Sequence, residues 1–316
     1  MRADQRRVYH LQLRVTAKAD GAVAPKVRDI ADALLYAEQN SLAYHELENG
    51  SLALTIADVG VGTDYCRFLV KASDLKGSDV SFTHRISGAQ RDGGKQGDEG
   101  RDYGAHVLIK LPKVGEPDYV AKMLLERQTN LSRSMVRSLI QAVLRAVRKH
   151  DRAYFQSNHS GGIRVKGVPK KVSFQPYIWL EAEPSDFIAN ALNGLTIQDI
   201  KLVKQRHRSP VQARPWLAES VSELRLVPTA LATAKIKLSE LKDAMKDKSA
   251  DYETAIIRFE DPNTGESRKV KMVTSDGTIL DDTYIKASTV YSISPPLSEC
   301  PKAVATHMID KMKNLL

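Results

Sequence analysis

The stretch Leu42–Asp58, LAYHELENGSLALTIAD, decides how the chain is to be read. Apolar and polar residues alternate on both sides of Asn49-Gly50, which is the period of a half-buried strand, and Asn-Gly readily supplies the two positive φ values of a type I′ turn. A β-hairpin is therefore expected here, and with it an antiparallel sheet. The neighbouring segments agree. VYHLQLRVT (8–16) alternates, with Tyr9, Leu11, Leu13 and Val15 on one face and His10, Gln12 and Arg14 on the other. KVRDIADALLYAEQ (26–39) changes to a helical period through Val27, Ile30 and Leu34. DYCRFLVKAS (64–73) and VSFTHRI (80–86) read as further strands of the same meander. Ser87–Gly104 is rich in glycine and charge, with little to bury, and is expected to be a long mobile loop.

AHVLIKLP (105–112) reads as a strand, PDYVAKMLLERQ (117–128) as a helical candidate, and SRSMVRSLIQAVLRAVRKH (132–150) as a long helix. Val136, Leu139, Ile140, Val143 and Val147 form the apolar stripe of that last helix, while Arg137, Gln141, Arg145, Arg148 and Arg152 share another face. FQSNHSGGIRVKGVPKK (155–171) reads as a linking loop. Beyond it, the order is a strand over 172–183, a short helix capped by Ser185, and an extended LTIQDIKLVKQ (195–205). SELRLV (222–227) reads as a short strand, 234–248 as a helix, TAIIRFE and SRKVKMV as a hairpin, 283–293 as a strand, and 302–316 as a closing helix with Val304, Met308 and Met312 on one stripe. The expected class is α+β, in two lobes of antiparallel strands with packed helices, residues 1–157 and 158–316.

With 316 residues and 42% hydrophobic content, the chain can bury a substantial core. Lys plus Arg number 47 against 38 Asp plus Glu, a formal charge of +9, which points to an anionic partner. The two cysteines, Cys66 and Cys300, are far apart and outside any CxxC or Cys/His cluster, so neither a disulfide framework nor a zinc site is expected. No apolar run is long enough for a signal peptide core or a membrane span, and the chain reads as cytoplasmic.

Catalytic signatures are weak. GGKQG lacks the Ser or Thr of a P-loop and precedes a strand instead of a helix. His10 and His106 each open a strand, as in two-histidine phosphoesterases, but Gln12 and Leu108 stand where those enzymes carry Ser or Thr. Glu260, Asp261 and Glu266 approach a metal-nuclease pattern but sit around the turn chemistry of DPNTG. Cys66 lies mid-strand, and Ser160 lacks a nucleophile elbow.

Charge remains. RAVRKHDR, RVKGVPKK, KLVKQRHR and RKVK are four basic clusters. In KLVKQRHRSPVQARPWLAE (Lys201–Glu219), a continuous buried strand would desolvate four cations without partners, so the later half is expected to be a surface loop with Trp216 anchoring it. The expected function is nucleic-acid binding, DNA ahead of RNA, through backbone charge, without metal, cofactor or chemistry of its own, as a subunit of a larger DNA-handling assembly. The expected contacts are Arg137, Arg145, Arg148, Lys201, Lys204, Arg206, Arg208, Arg214 and Trp216. The alternatives are a protein-interaction or oligomerisation subunit and a divergent metal-dependent nuclease.

Overall fold

The structure, a computed structural model, describes residues 3–97, 99–113, 115–186, 188, 197–211, 214–226, 243–260, 264–275, 279–280 and 282–316, the side chains of 205–211 and 214–222 excepted. It is mostly antiparallel sheet with a few helices, a mixed α+β architecture. By its contacts the chain divides into two compact units, Met1–Leu180 with Ser288–Leu316, and Glu181–Ala287.

In the first unit the strands are β1 (Arg6–Lys18), β2 (Tyr44–Leu47), β3 (Leu52–Val61), β4 (Tyr65–Asp74), β5 (Val80–Thr83), β6 (Gln90–Gly93), β7 (Arg101–Lys110), β8 (Val120–Glu126), β9 (Gln156–Asn158), β10 (Arg164–Val165), β11 (Val168–Pro169), β12 (Lys171–Ser173) and β13 (Gln175–Ala182). The helices are α1 (Val27–Gln39) and α2 (Arg133–His150), the latter capped by Ser132, whose Oγ accepts from the Met135 amide. One sheet runs β13-β1-β8-β7-β4-β3-β2.

This sheet is covered on both faces. Phe68, Val70, Val107 and Ile109 are buried on the side of α1 and α2, which pack on each other and on β2 and β3. On the other side Val8, Leu69, Leu108 and Leu124 meet Val290, Ile293, Leu297, Val304, Met308, Ile309 and Met312 of the C-terminal segment, whose last helix is α3 (Thr306–Lys313). That double cover explains β8, which has a helical look in sequence. Between β1 and β7, Met123, Leu124 and Leu125 are all buried, so the strand has no period of two to recognise.

The C-terminal segment is fastened by buried polar groups. Arg6 Nε lies 2.8 Å from Glu126 Oε1, and its NH2 donates to the Leu297 carbonyl at 2.8 Å. His106 Nδ1 lies 2.6 Å from Glu126 Oε2, while His106 Nε2 accepts from the Ala305 amide at 3.0 Å. Since Nε2 accepts, the ring proton sits on Nδ1 and is donated to the carboxylate. Asp58 Oδ2 accepts from the Val304 amide at 2.6 Å, and Gln128 donates to the Glu299 carbonyl at 3.1 Å.

Two turns differ from expectation. The β2–β3 hairpin forms, but Leu47 faces Leu52 across a four-residue loop with positive φ at Glu48, Asn49 and Gly50. Positive φ at both central residues of a two-residue turn occurs instead at Lys166-Gly167, which joins β10 and β11. Part of the expected mobile loop is also strand. β5 leaves the meander and pairs with β6, and β7 begins at Arg101.

The second unit holds β14 (Ile197–Val211), β15 (Arg214–Leu226), β16 (Thr254–Glu260) and β17 (Ser267–Val273), in the order β15-β14-β16-β17. One face of the sheet is apolar and buried, with Leu202, Ala255, Ile257, Phe259, Val270 and Met272. β18 (Ala287–Val290) leads back into the first unit, where it pairs with β1. Of the helix expected over 234–248, residues 234–242 lie outside the described residues, and 243–246 are helical.

Candidate nucleic-acid interface

β14 corrects the expected loop. It runs unbroken in strand form through Val211, apart from register shifts, and pairs with β15 up to Val211↔Arg214. Beyond the pair Val203↔Thr254, β15 is the one strand paired with β14 among the described residues, and a strand with a single neighbour need not be a buried one. The side chains of Arg206, Arg208, Arg214 and Trp216 lie outside the described residues.

Lys201 is half-exposed, and its Nζ lies 2.5 Å from Glu223 Oε2. Lys204 lies three residues on with no register shift between, so it takes the opposite face of the strand from Lys201. Register gives Lys201 different company. It stands opposite Arg225 on β15 and Ile256 on β16, and Ile256 stands opposite Lys271 on β17. In the next row Asp199 faces Arg258, which faces Lys269. Directly opposed residues of antiparallel strands share a side, so Lys201, Arg225, Arg258, Lys269 and Lys271 all occupy the solvent side of this sheet. Asp199 and Glu223 hold three of them, through Arg225 at 2.7 Å, Arg258 at 3.6 Å and Lys201. Lys269 and Lys271 are exposed and, among the described residues, have no carboxylate within ion-pair distance. The fork around Asp199 sets the spacing of the two arginines, leaving the lysines of β17 as the open charges.

The basic face of α2, in the first unit, divides. Arg137 is half-buried. Its Nε donates to the Ile178 carbonyl at 3.1 Å, its NH2 donates to Tyr177 Oη at 2.8 Å, and its guanidinium lies 4.4 Å from the centre of the Trp179 ring. Gln141 continues the same task, donating to the Pro176 carbonyl and accepting from the Ile178 amide. These residues hold edge strand β13 and do not present charge outward. Arg145 is exposed and Arg148 half-buried. Burial, with a further contribution from the Arg145 charge, holds the His45 imidazole below its ordinary value.

Among the described residues the catalytic alternatives gain no geometry. His10 Nε2 lies 2.8 Å from Ser288 Oγ, and His106 is enclosed in the Glu126 network. Burial first, then the Asp32 charge, pushes the Cys66 thiol up to about 12, a state with no nucleophilic thiolate at neutral pH. Glu260 and Glu266 are exposed at the β16–β17 turn, Asp261 is outside the described residues, and no group of three His, Cys, Asp or Glu among the described residues is placed to hold a metal ion. Among the described residues no helix is long and apolar enough to cross a membrane.

No protein-family model, curated protein or solved structure matches the chain.

Arg225 and Arg258 fall outside the basic clusters visible in sequence. Their signal is alternation, since SELRLV and TAIIRFE each place one arginine on the polar side of a strand.

Proposed function

We propose that the chain binds nucleic acid, DNA ahead of RNA, through phosphate contacts on the solvent side of the β14–β17 sheet, without catalysing a reaction on it. A single observation carries this reading: five cations share one open sheet face, two of them without an acidic partner among the described residues. A flat face of this kind meets a backbone and reads no base edges, so its binding is independent of sequence and weakens as salt rises. It suits an intracellular subunit of an assembly that handles DNA.

Charge reversal at Lys269→Glu and Lys271→Glu tests it by gel shift on a random-sequence duplex. The double variant weakens the shift several-fold while its thermal midpoint stays within about 2 °C, because exposed charges contribute little stability. Undiminished binding would remove the sheet face from the interface. If the wild-type protein gives no shift at micromolar concentration but forms concentration-dependent oligomers, the protein-docking alternative takes its place.

A further inference from the structure

The segment with the composition of a linker is an arm. Phe155 and Phe174, at 2% and 4% exposure, are buried at its base, where the Phe174 amide donates to the Phe155 carbonyl. β9 and β12 pair above them, from Ser173↔Gln156 to Lys171↔Asn158. The chain at Gly21 holds the shoulder. The Ser160 amide donates to the Gly21 carbonyl at 2.9 Å, and the His159 ring packs so closely on Gly21 that a Cβ there would overlap it. Past this point every residue from Gly161 to Lys171 is exposed, and β10 and β11 form a two-stranded tip closed by Lys166-Gly167.

The composition of the arm is unusual for a surface loop. Val165 and Val168 stand opposite each other on one face at 55% and 65% exposure, with Ile163 beside them at 45%. Arg164 and Pro169 are paired on the other face. Lys166 lies at the turn, and Lys170 and Lys171 on the return strand. From Arg152 to Leu180 the sequence contains no Asp or Glu, and among the described residues these four cations have no carboxylate partner. Three adjacent exposed aliphatic side chains flanked by uncompensated cations form a surface that water alone does not favour.

We propose that Gly161–Lys171 inserts into the major groove of duplex DNA, with Arg164, Lys166, Lys170 and Lys171 on the phosphate walls and Val165 and Val168 against the floor. The dimensions agree. A two-stranded ribbon laid with its Val165–Val168 face toward the bases fits a major groove about 12 Å wide, with Lys166 at its tip and Lys170 near its base left to reach the phosphates. Charge complementarity selects a polyanion, and the apolar face selects a floor bearing methyl groups, which the major groove supplies at thymine. The inference rests on the nucleic-acid reading but on a different element, and it adds a duplex requirement that a flat basic face does not impose.

The test uses the full chain and three probes of one sequence: a thymine-containing duplex, the same duplex with uracil for thymine, and the single strand. Wild type binds the thymine duplex several-fold more tightly than the uracil duplex. Val165→Ser with Val168→Ser binds both duplexes equally, with an unchanged salt slope. Lys166→Gln with Lys170→Gln lowers the log–log salt slope on duplex by about 1.8, two contacts at about 0.9 each, and leaves single-strand binding unaltered. If wild type binds duplex but the arm variants match it, or lose duplex and single strand alike, the groove assignment is overturned while the sheet-face reading stands. If wild type binds no duplex, both are overturned.

Discussion

Replacing Glu126 by alanine leaves a guanidinium in the interior without its carboxylate. Arg6 and Glu126 are each 2% exposed and His106 is fully enclosed, so solvent cannot substitute for the missing partner. The same carboxylate accepts from the His106 ring at 2.6 Å and from the His106 amide at 3.0 Å, and both donors lose it. Breaking a buried ion pair by removing one partner costs about 3–5 kcal/mol. For a unit of this size, 1 kcal/mol corresponds to roughly 2–4 °C, so the midpoint falls by roughly 6–20 °C in scanning calorimetry. The damage has a location, because Arg6 and His106 hold the C-terminal segment at Leu297 and Ala305. Limited proteolysis of the variant therefore adds a cut within 291–304 that the wild-type protein resists. Glu126→Gln, which keeps an accepting oxygen, loses less. Arg6→Met with Glu126→Leu recovers much of the alanine loss, since no charge is then left buried. A Glu126→Ala protein melting within about 2 °C of wild type, with an unchanged cleavage pattern, would refute the reasoning.

Three further outcomes follow from the same geometry. His45 titrates below the ordinary histidine value, chiefly through burial, so folding stability attributable to it is full above about pH 6.5 and declines as pH falls toward the lowered folded value. Arg145→Gln moves the His45 titration, followed by NMR, part of the way back; no movement would separate Arg145 from this site. In the folded protein Cys66 resists alkylation at pH 8 while Cys300, half-buried and shifted up mainly by burial, reacts slowly. Prompt labelling of Cys66 would contradict its core position. Arg137→Ala frees β13 at the sheet edge, raising amide exchange over 177–179 and costing about 1–3 kcal/mol, since neither the Ile178 carbonyl nor the Trp179 ring then meets a cation; unchanged exchange there would return Arg137 to the surface.

The legible parts of the fold are those whose period survives in the sequence. β3, α1, α2, the β16–β17 hairpin and α3 each keep one polar face, β1 and β4 keep enough alternation on either side of buried Val8 and Leu69 to be recognised, and each stands where its pattern puts it. β8 does not, because both of its faces are covered and its apolar run carries no period. The outer half of β14 misleads for the opposite reason: its polarity matches a loop, yet a ribbon paired on one side tolerates the same residues. Residues 155–171 resemble a linker because glycine and lysine mark linkers and exposed arms alike, and only the pairing of β9 with β12 and β10 with β11 separates them. The basic clusters themselves are visible in RVKGVPKK and RKVK. Which cations share a face is not, since that depends on cross-strand register, and register sets Lys201 with Lys269 and Lys271 and apart from Lys204.

The most direct test of the nucleic-acid reading is the affinity of the wild-type chain for a random-sequence duplex, measured by fluorescence anisotropy from about 50 to 200 mM salt. Lys269 and Lys271 alone require a log–log slope of about −2. Binding whose strength does not change with salt, or no binding at all, would contradict an interface made of phosphate contacts.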